Sequence, residues 1–77
     1  METEFISSPM ILNAYDKLLG RKFLLGVRGC IVIAGPNVII AGCEFVSRHG
    51  EPYLYLAKNA KGYILQDNHF TVLSWKD

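Results

Sequence analysis

The residues best suited to covalent or metal chemistry are two cysteines and two histidines. Cys30 and Cys43 lie in uncharged, apolar stretches, whereas His49 and His69 lie in segments rich in turn-forming residues. A zinc site would require all four side chains to converge, and none of them has the close ligand spacing of a zinc finger. A cysteine–histidine nucleophile is formally available. Buried thiols and solvated loop histidines are the simpler interpretation, so we expect no metal, no cofactor and no catalytic residue.

Carboxylates and glycines form no catalytic motif either. Glu44, Glu51 and Asp67 lack a spacing that would indicate a paired acid and base. The glycines of residues 26–35 have neither the spacing nor the Lys-Ser/Thr ending of a phosphate-binding loop. We therefore predict that the chain is not an enzyme and that it acts by binding.

The composition favours binding to protein. Of the 77 residues, 51% are hydrophobic and 19% are charged, and the net charge is +1. Because a short chain buries a limited share of its surface on folding, this excess predicts apolar surface buried against a protein partner or a second copy. A protein that coats nucleic acid needs a clear basic surplus, which this chain lacks.

The N-terminus and the longest apolar stretch indicate the cellular compartment of the protein. Residues 1–4 include two glutamates and no basic residue, which is not the pattern of a secretory signal. Pro36 and Asn37 interrupt the apolar stretch, which is also too short to span a membrane as a helix. We expect a cytoplasmic protein with reduced cysteines and no membrane contact.

Four residues of the C-terminal half are candidate partner-binding residues. If Asn59–Gly62 is the loop of a β-hairpin, cross-strand pairing places two sets of side chains on opposite faces. The predicted core face carries Leu54, Leu56, Tyr63 and Leu65. The predicted partner face carries Tyr53, Tyr55, Ile64 and Gln66. Tyrosine is enriched at protein interfaces, although this face could instead cover the outside of the domain or contact a helix.

Basic residues supply the alternative function. The candidate nucleic-acid contacts are Arg28, Arg48, Lys58 and Lys61. Together with tyrosines and Trp75, they could form a platform on which single-stranded bases stack. Ordinary solubilising charge on turns explains the same residues, so nucleic-acid binding ranks second to protein binding.

The elements that must position these residues are organised around the segment from Cys30 to Cys43. Two β-branched runs flank Gly-Pro-Asn there, which predicts a strand–turn–strand unit. Upstream, Ser8 and Pro9 suit a helix start, and Ile11, Tyr15, Leu18 and Leu19 have helical spacing. We expect residues 1–7 to be frayed, 8–19 to form a helix, and 21–75 to form five or six antiparallel strands, with no internal repeat.

One short helix followed by five or six strands resembles the element order of SH3-like and Sm-like proteins. The resemblance implies a mainly β single domain, residues 1–77, with a small and strongly bent antiparallel barrel. We expect a non-enzymatic interaction module, such as an adaptor, an inhibitor or an assembly subunit, that forms a homodimer or a larger oligomer. Small proteins of viruses and mobile elements commonly have this profile. A nucleic-acid-binding barrel is the alternative.

Overall fold

The computed structural model describes residues 2–48 and 52–73, and all regular structure in those ranges is β-strand. Ten short strands follow one another along the chain. They are β1 (Thr3–Ile6), β2 (Pro9–Leu12), β3 (Lys17–Leu19), β4 (Lys22–Leu25), β5 (Cys30–Ile33), β6 (Ile39–Ala41), β7 (Glu44–Ser47), β8 (Leu54–Leu56), β9 (Ile64–Gln66) and β10 (His69–Val72).

The strands form three parallel sheets. The first sheet has the order β1-β4-β7-β10, the second β2-β5-β8, and the third β3-β6-β9. Consecutive strands therefore always belong to different sheets, and the chain returns to the same sheet at every third strand. This path is a β-solenoid of about three turns. The first turn contains β1 to β3, the last turn contains β8 to β10, and three corners connect the sheets.

The register shows how the length of a turn varies. Thr3 lies beside Lys22, Lys22 beside Glu44, and Glu44 beside His69, so successive partners are 19, 22 and 25 residues apart. Within each strand pair the partners follow one another without interruption. The corners therefore absorb the extra residues while the strands stay in register.

The core is the interior of the solenoid. Alternate residues of each strand point inward, as strand geometry requires, and they stack in columns along the axis. Ile31 and Ile33 from β5 and Ile40 from β6 are fully buried. Phe23 and Phe45 stack with ring centroids 5.4 Å apart, which fills the interior beside the first sheet.

The corner between the third and first sheets repeats in every turn. Gly20, Gly42 and Asp67 occupy equivalent positions there with φ of 61°, 64° and 53°. Such left-handed backbone favours glycine, and aspartate tolerates it better than most residues. The N–H of Gly20 donates to the Ala41 carbonyl, and that of Gly42 donates to the Gln66 carbonyl. The corners are thus hydrogen-bonded to one another along the axis.

Asn68 fixes the last of these corners to the turn before it. Its side-chain oxygen accepts the Cys43 N–H at 2.9 Å, and its side-chain nitrogen donates to the Ile40 carbonyl at 2.9 Å. One amide side chain thereby satisfies two backbone groups that the corner would otherwise leave without a strand partner.

The predicted helix over residues 8–19 is wrong. Residues 9–12 and 17–19 form β2 and β3, with a corner between them in which the Asn13 N–H donates to Asp16 Oδ2. Of the four residues with helical spacing, Leu18 is buried, whereas Ile11, Tyr15 and Leu19 are exposed. Residues 1–7 are not wholly frayed, because β1 pairs with β4.

The predicted antiparallel barrel is also wrong, and with it the SH3-like and Sm-like resemblance. The Gly-Pro-Asn segment is a corner between β5 and β6, which lie in different sheets. Cys30 consequently lies beside Pro9, in the second sheet. Both predicted hairpins are corners, because each turns the chain toward the next sheet instead of reversing it.

The second predicted hairpin shows the same difference. Residues 54–56 pair with β5, and residues 64–66 pair with β6, so the two segments do not pair with each other. The last strand within the predicted β region of residues 21–75 is β10, which ends at Val72. Trp75 lies outside the described residues.

Candidate functional site

The four predicted partner-binding residues do not share one face. Tyr53 is half-buried; its ring stacks on Phe70 with centroids 4.4 Å apart and lies tilted against Phe45 with centroids 4.8 Å apart. Tyr55 alternates with inward residues of β8, so it lies on the outer face of the second sheet. Ile64 and Gln66 lie on the outer face of the third sheet. Their role in binding stays a prediction, and they belong to three separate places.

The four basic candidates lie at two corners. Arg28 lies between β4 and β5 and Arg48 follows β7, so both belong to the corner between the first and second sheets. Lys58 and Lys61 lie between β8 and β9, at the corner between the second and third sheets. The outer face of the second sheet, including Tyr55, therefore has a basic corner on either side.

The cysteines are free, buried and apart in the register. Burial raises the pKa of the Cys30 thiol, which disfavours the reactive thiolate. The Cys43 thiol lies 3.5 Å from the Leu18 carbonyl and 3.5 Å from the Ala41 carbonyl. His49 lies outside the described residues. Among the residues described, no three His, Cys, Asp or Glu side chains cluster to hold a metal ion, and no helix is long and apolar enough to cross a membrane.

The last turn leaves the interior of the solenoid open. Inward-facing residues of the first and last turns occupy the same columns, yet their exposed fractions differ widely. Leu18 is 3% exposed and Leu65 is 44% exposed; Leu12 is 5% exposed and Leu56 is 51% exposed. The same contrast holds for Ile6 at 7% and Val72 at 49%. The end surface, defined as Leu56, Leu65, Phe70, Val72 and Leu73, is therefore exposed and apolar.

The first turn is closed by an ion pair. Glu4 occupies the column of Phe23 and Phe45, and its carboxylate accepts two hydrogen bonds from Arg21, at 2.8 Å from Nε and 2.6 Å from Nη2. The guanidinium lies 5.2 Å from the centroid of the Phe23 ring, within cation–π range. This pairing holds the pKa of Glu4 below its ordinary value. Phe23 is completely buried, whereas Phe70 in the last turn is 37% exposed.

The edge strands differ in the same way. β8, β9 and β10 have no strand beyond them among the described residues, so each presents backbone groups on one side. Such edges attract further strands unless proline or charge blocks them. The strand β2 in the first turn begins with Pro9, which has no N–H to donate. None of the three last-turn strands contains proline.

A shallow groove also lies on the outer face of the first sheet. It is lined by Phe5, residues 24–27 and Arg48. Phe5 and Val27 are exposed there. Those lining residues contribute no titratable group other than Arg48, so the groove offers an apolar contact rather than chemistry.

The expectation of no internal repeat is wrong, and the end surface is recognisable only once the repeat is known. Three segments align: Leu-Leu-Gly-Arg-Lys-Phe ending at Phe23, Ile-Ala-Gly-Cys-Glu-Phe ending at Phe45, and Leu-Gln-Asp-Asn-His-Phe ending at Phe70. Each begins with an inward aliphatic residue, has a left-handed residue in its centre and ends with an inward phenylalanine. This recurrence was the signal that could have identified the turns.

The exposed strand edges and apolar side chains at this end of the solenoid are suited to non-covalent addition of a layer of polypeptide, through backbone hydrogen bonds and apolar packing. No family model, no curated protein and no solved structure matches this chain.

Proposed function

We propose that the chain is a small non-enzymatic protein-interaction module that binds protein through the end surface of its last turn. The observation that carries the proposal is the exposure of inward-facing apolar side chains at that end and not at the other. Repeat proteins need terminal units with a polar outer face to remain soluble alone. A last turn without a polar outer face is expected to be covered by protein.

Two physical contributions support binding at this end. Burying the apolar side chains removes hydrocarbon from water, worth about 25 cal/mol per Å² of apolar area. A strand laid on β8, β9 or β10 would also pair their unpartnered backbone groups, as in β-strand addition. The rest of the chain positions this surface, because the stacked corners and the aromatic column fix the last turn on the two turns before it.

The experiment compares two neighbouring residues of β9. Leu65 points inward and Ile64 points outward, and they are exposed to similar extents, 44% and 48%. Tagged wild type, Leu65→Asp and Ile64→Asp are expressed in the native host, crosslinked and captured with and without nuclease treatment. We expect Leu65→Asp to lose the protein partner and Ile64→Asp to retain it. Equal loss in both variants, or loss in neither, would contradict the proposal.

Nucleic-acid binding is the second candidate function. The observation in its favour is the position of Tyr55, on an outer face with Arg28 and Arg48 at one corner and Lys58 and Lys61 at the other. Base stacking on one tyrosine contributes about 1–3 kcal/mol. A chain of net charge +1 neutralises few phosphates, so its binding should be weak and sensitive to salt.

Fluorescence anisotropy with labelled single- and double-stranded DNA and RNA separates the two functions. We expect affinity no better than about 0.1 mM near physiological salt, the weak end of non-specific binding. Sub-micromolar affinity that Tyr55→Ala abolishes, while Leu65→Asp leaves it unchanged, would favour nucleic acid over protein as the partner.

A further inference from the structure

We propose that the protein covering the end surface is a second copy of this chain, joined last turn to last turn by a two-fold axis that passes through the centre of β9. This inference rests on the proposed function and names the partner. It follows from the geometry of the three edge strands, the distribution of charge at two corners, and the size of the last turn.

The spiral path makes the end of the solenoid self-complementary. In a spiral path that climbs evenly as it turns, the strand order places β8, β9 and β10 at successively higher levels of the open end. A two-fold axis through β9 and perpendicular to the solenoid axis exchanges the positions of β8 and β10. The low strand of one copy then faces the high strand of the other, and the separation is the same in all three sheets.

A single two-fold rotation therefore gives each of the three edge strands a partner strand. At the usual strand separation of about 4.8 Å, β9 pairs with its own copy, and each β8 pairs with the partner's β10, all antiparallel. Leu65 lies at the centre of β9 and hence on the axis. The pairing that keeps inward residues together places Leu54 and Leu56 near the partner's Val72 and the partner's Phe70. Both interiors become one continuous core.

The same rotation brings opposite charges together. It exchanges the two corners that flank β9, one between β8 and β9 and the other between β9 and β10. The first corner carries Lys58 and Lys61, and the second carries Asp67. Each lysine corner therefore lies over the partner's Asp67, and the contact occurs twice. A two-fold axis through β8 or β10 would instead leave the edge strands at unequal separations.

The last turn has the size that a stable dimer needs. Residues 54–73, which run from the start of β8 to the end of the described chain, number 20. Standard interfaces use about 20–30 residues and about 800 Å² on each partner. A head-to-tail stack would instead set this end on the first turn. There Leu12 and Leu18 are already buried, Pro9 removes a donor, and the contact would continue into a filament.

The first test measures association by sedimentation equilibrium of the full 77-residue chain across micromolar concentrations. We expect a dimer that does not grow further, a monomer for Leu65→Asp, and a dimer for Ile64→Asp. Circular dichroism and urea unfolding of each variant verify that it remains folded. A strictly monomeric wild type, growth beyond the dimer with concentration, or equal weakening by both substitutions would each overturn the proposal.

The second test reverses the corner charges. Lys58→Glu with Lys61→Glu should raise the dimer Kd at least about tenfold, equivalent to 1.4 kcal/mol, because two repulsive contacts replace two attractive ones. Adding Asp67→Lys to the same chain should restore most of the affinity and the original two-fold arrangement. Absence of rescue would show that the corners do not face each other and would overturn this dimer.

Two outcomes separate this proposal from the proposed function. A monomeric chain whose capture of a different host protein is abolished by Leu65→Asp would overturn the homodimer and leave the interaction module standing. A monomer in which deletion of residues 74–77 speeds hydrogen exchange of β8 and β9 would overturn both, because the chain's own terminus would then cover the end surface.

Discussion

The first turn of the solenoid ends in a bidentate ion pair, whereas the last turn ends in exposed leucine, valine and phenylalanine side chains. Both turns place residues in the same columns, so the backbone cannot explain the difference. Glu4 and Arg21 lie over the aromatic column at one end, and Phe70 lies uncovered at the other. The comparison shows that an ion pair lies over the core at one end, whereas apolar side chains are exposed at the other.

The residues of the edge strands also differ between the first and last turns. Each first-turn strand contains proline or a charged residue, namely Glu4 in β1, Pro9 in β2 and Lys17 in β3, and natural proteins use proline and charge to prevent edge pairing. The last turn has short strands without proline, and its charged residues lie at the corners rather than in β8 or β9. Among the described residues, proline and charge that oppose edge pairing are therefore more frequent in the first-turn strands than in the last-turn strands.

The largest expected effect compares two phenylalanines in one column. Phe45→Ala should lower the free energy of unfolding by about 3–5 kcal/mol, because Phe45 is fully buried and its removal leaves a cavity. Phe70→Ala should cost clearly less, because part of that ring is already in solvent. Both are measured by urea unfolding in a monomeric Leu65→Asp background, with Phe45→Leu as a milder variant. Equal losses would show that the last turn is covered as well as the middle one.

The next comparison uses two leucines of another column. Leu18→Ala should destabilise the monomer by about 2–5 kcal/mol, whereas Leu65→Ala should cost under about 1 kcal/mol, as is usual for exposed positions. Both variants are unfolded with urea at concentrations below the dimer Kd. At higher concentration, Leu65→Ala should show a second loss through weakened association. A large loss for Leu65→Ala in dilute protein would mean that the end surface is not open.

Much of the strand content was predictable from the sequence, and its arrangement was not. The β-branched runs around Cys30 and Val38 do form strands, because their inward residues alternate as strand periodicity requires. Local pattern cannot tell whether a Gly-Pro-Asn turn reverses the chain or bends it toward another sheet. That choice depends on whether β5 pairs more stably with β2 and β8 than with β6. The pairs with β2 and β8 are non-local contacts, which a local sequence pattern does not contain.

The candidate site was less predictable than the strand content. The hairpin pattern predicts a core face that contains Leu56 and Leu65, and both point inward, but they are exposed because no strand lies beyond β8 and β9 among the described residues. The enrichment of tyrosine at interfaces predicts that Tyr53 binds a partner, but its ring instead contacts the rings of Phe45 and Phe70. Glu4 and Arg21 gave no sequence signal, because their 17-residue separation has meaning only once one turn is known to have about that length.

Acid should weaken the closed end selectively. Because the folded-state pKa of Glu4 is lowered by its hydrogen bonds to Arg21, its contribution to stability is present above the ordinary carboxyl pKa of about 4.3 and is lost as the pH falls through the lower folded value. Glu4→Gln should therefore destabilise the chain at neutral pH and have little effect at strongly acidic pH. Urea unfolding at both pH values measures this, with Glu2→Gln as the matched control. An equal effect of Glu4→Gln at both pH values would contradict a role for its charge.

The smallest expected effect concerns the repeated corner, where the first two turns have glycine and the last has Asp67. Left-handed backbone costs an ordinary L-residue roughly 1–2 kcal/mol and aspartate less, while glycine loses more entropy on folding. Asp67→Gly should therefore stabilise the monomer slightly, by a few tenths to about 1 kcal/mol, and Asp67→Ala should destabilise it by about 1 kcal/mol.

Asp67→Asn separates charge from conformation at this corner, because asparagine tolerates left-handed backbone and removes the carboxylate. Urea unfolding in the Leu65→Asp background should leave its stability close to that of aspartate. In the otherwise wild-type chain the same substitution should weaken the dimer, because each lysine corner loses its opposite charge. If Asp67→Gly instead destabilises the monomer as much as Asp67→Ala does, the aspartate side chain itself supports the corner. The last turn would then be held by a contact that the first two turns, with Gly20 and Gly42 at this position, do not have.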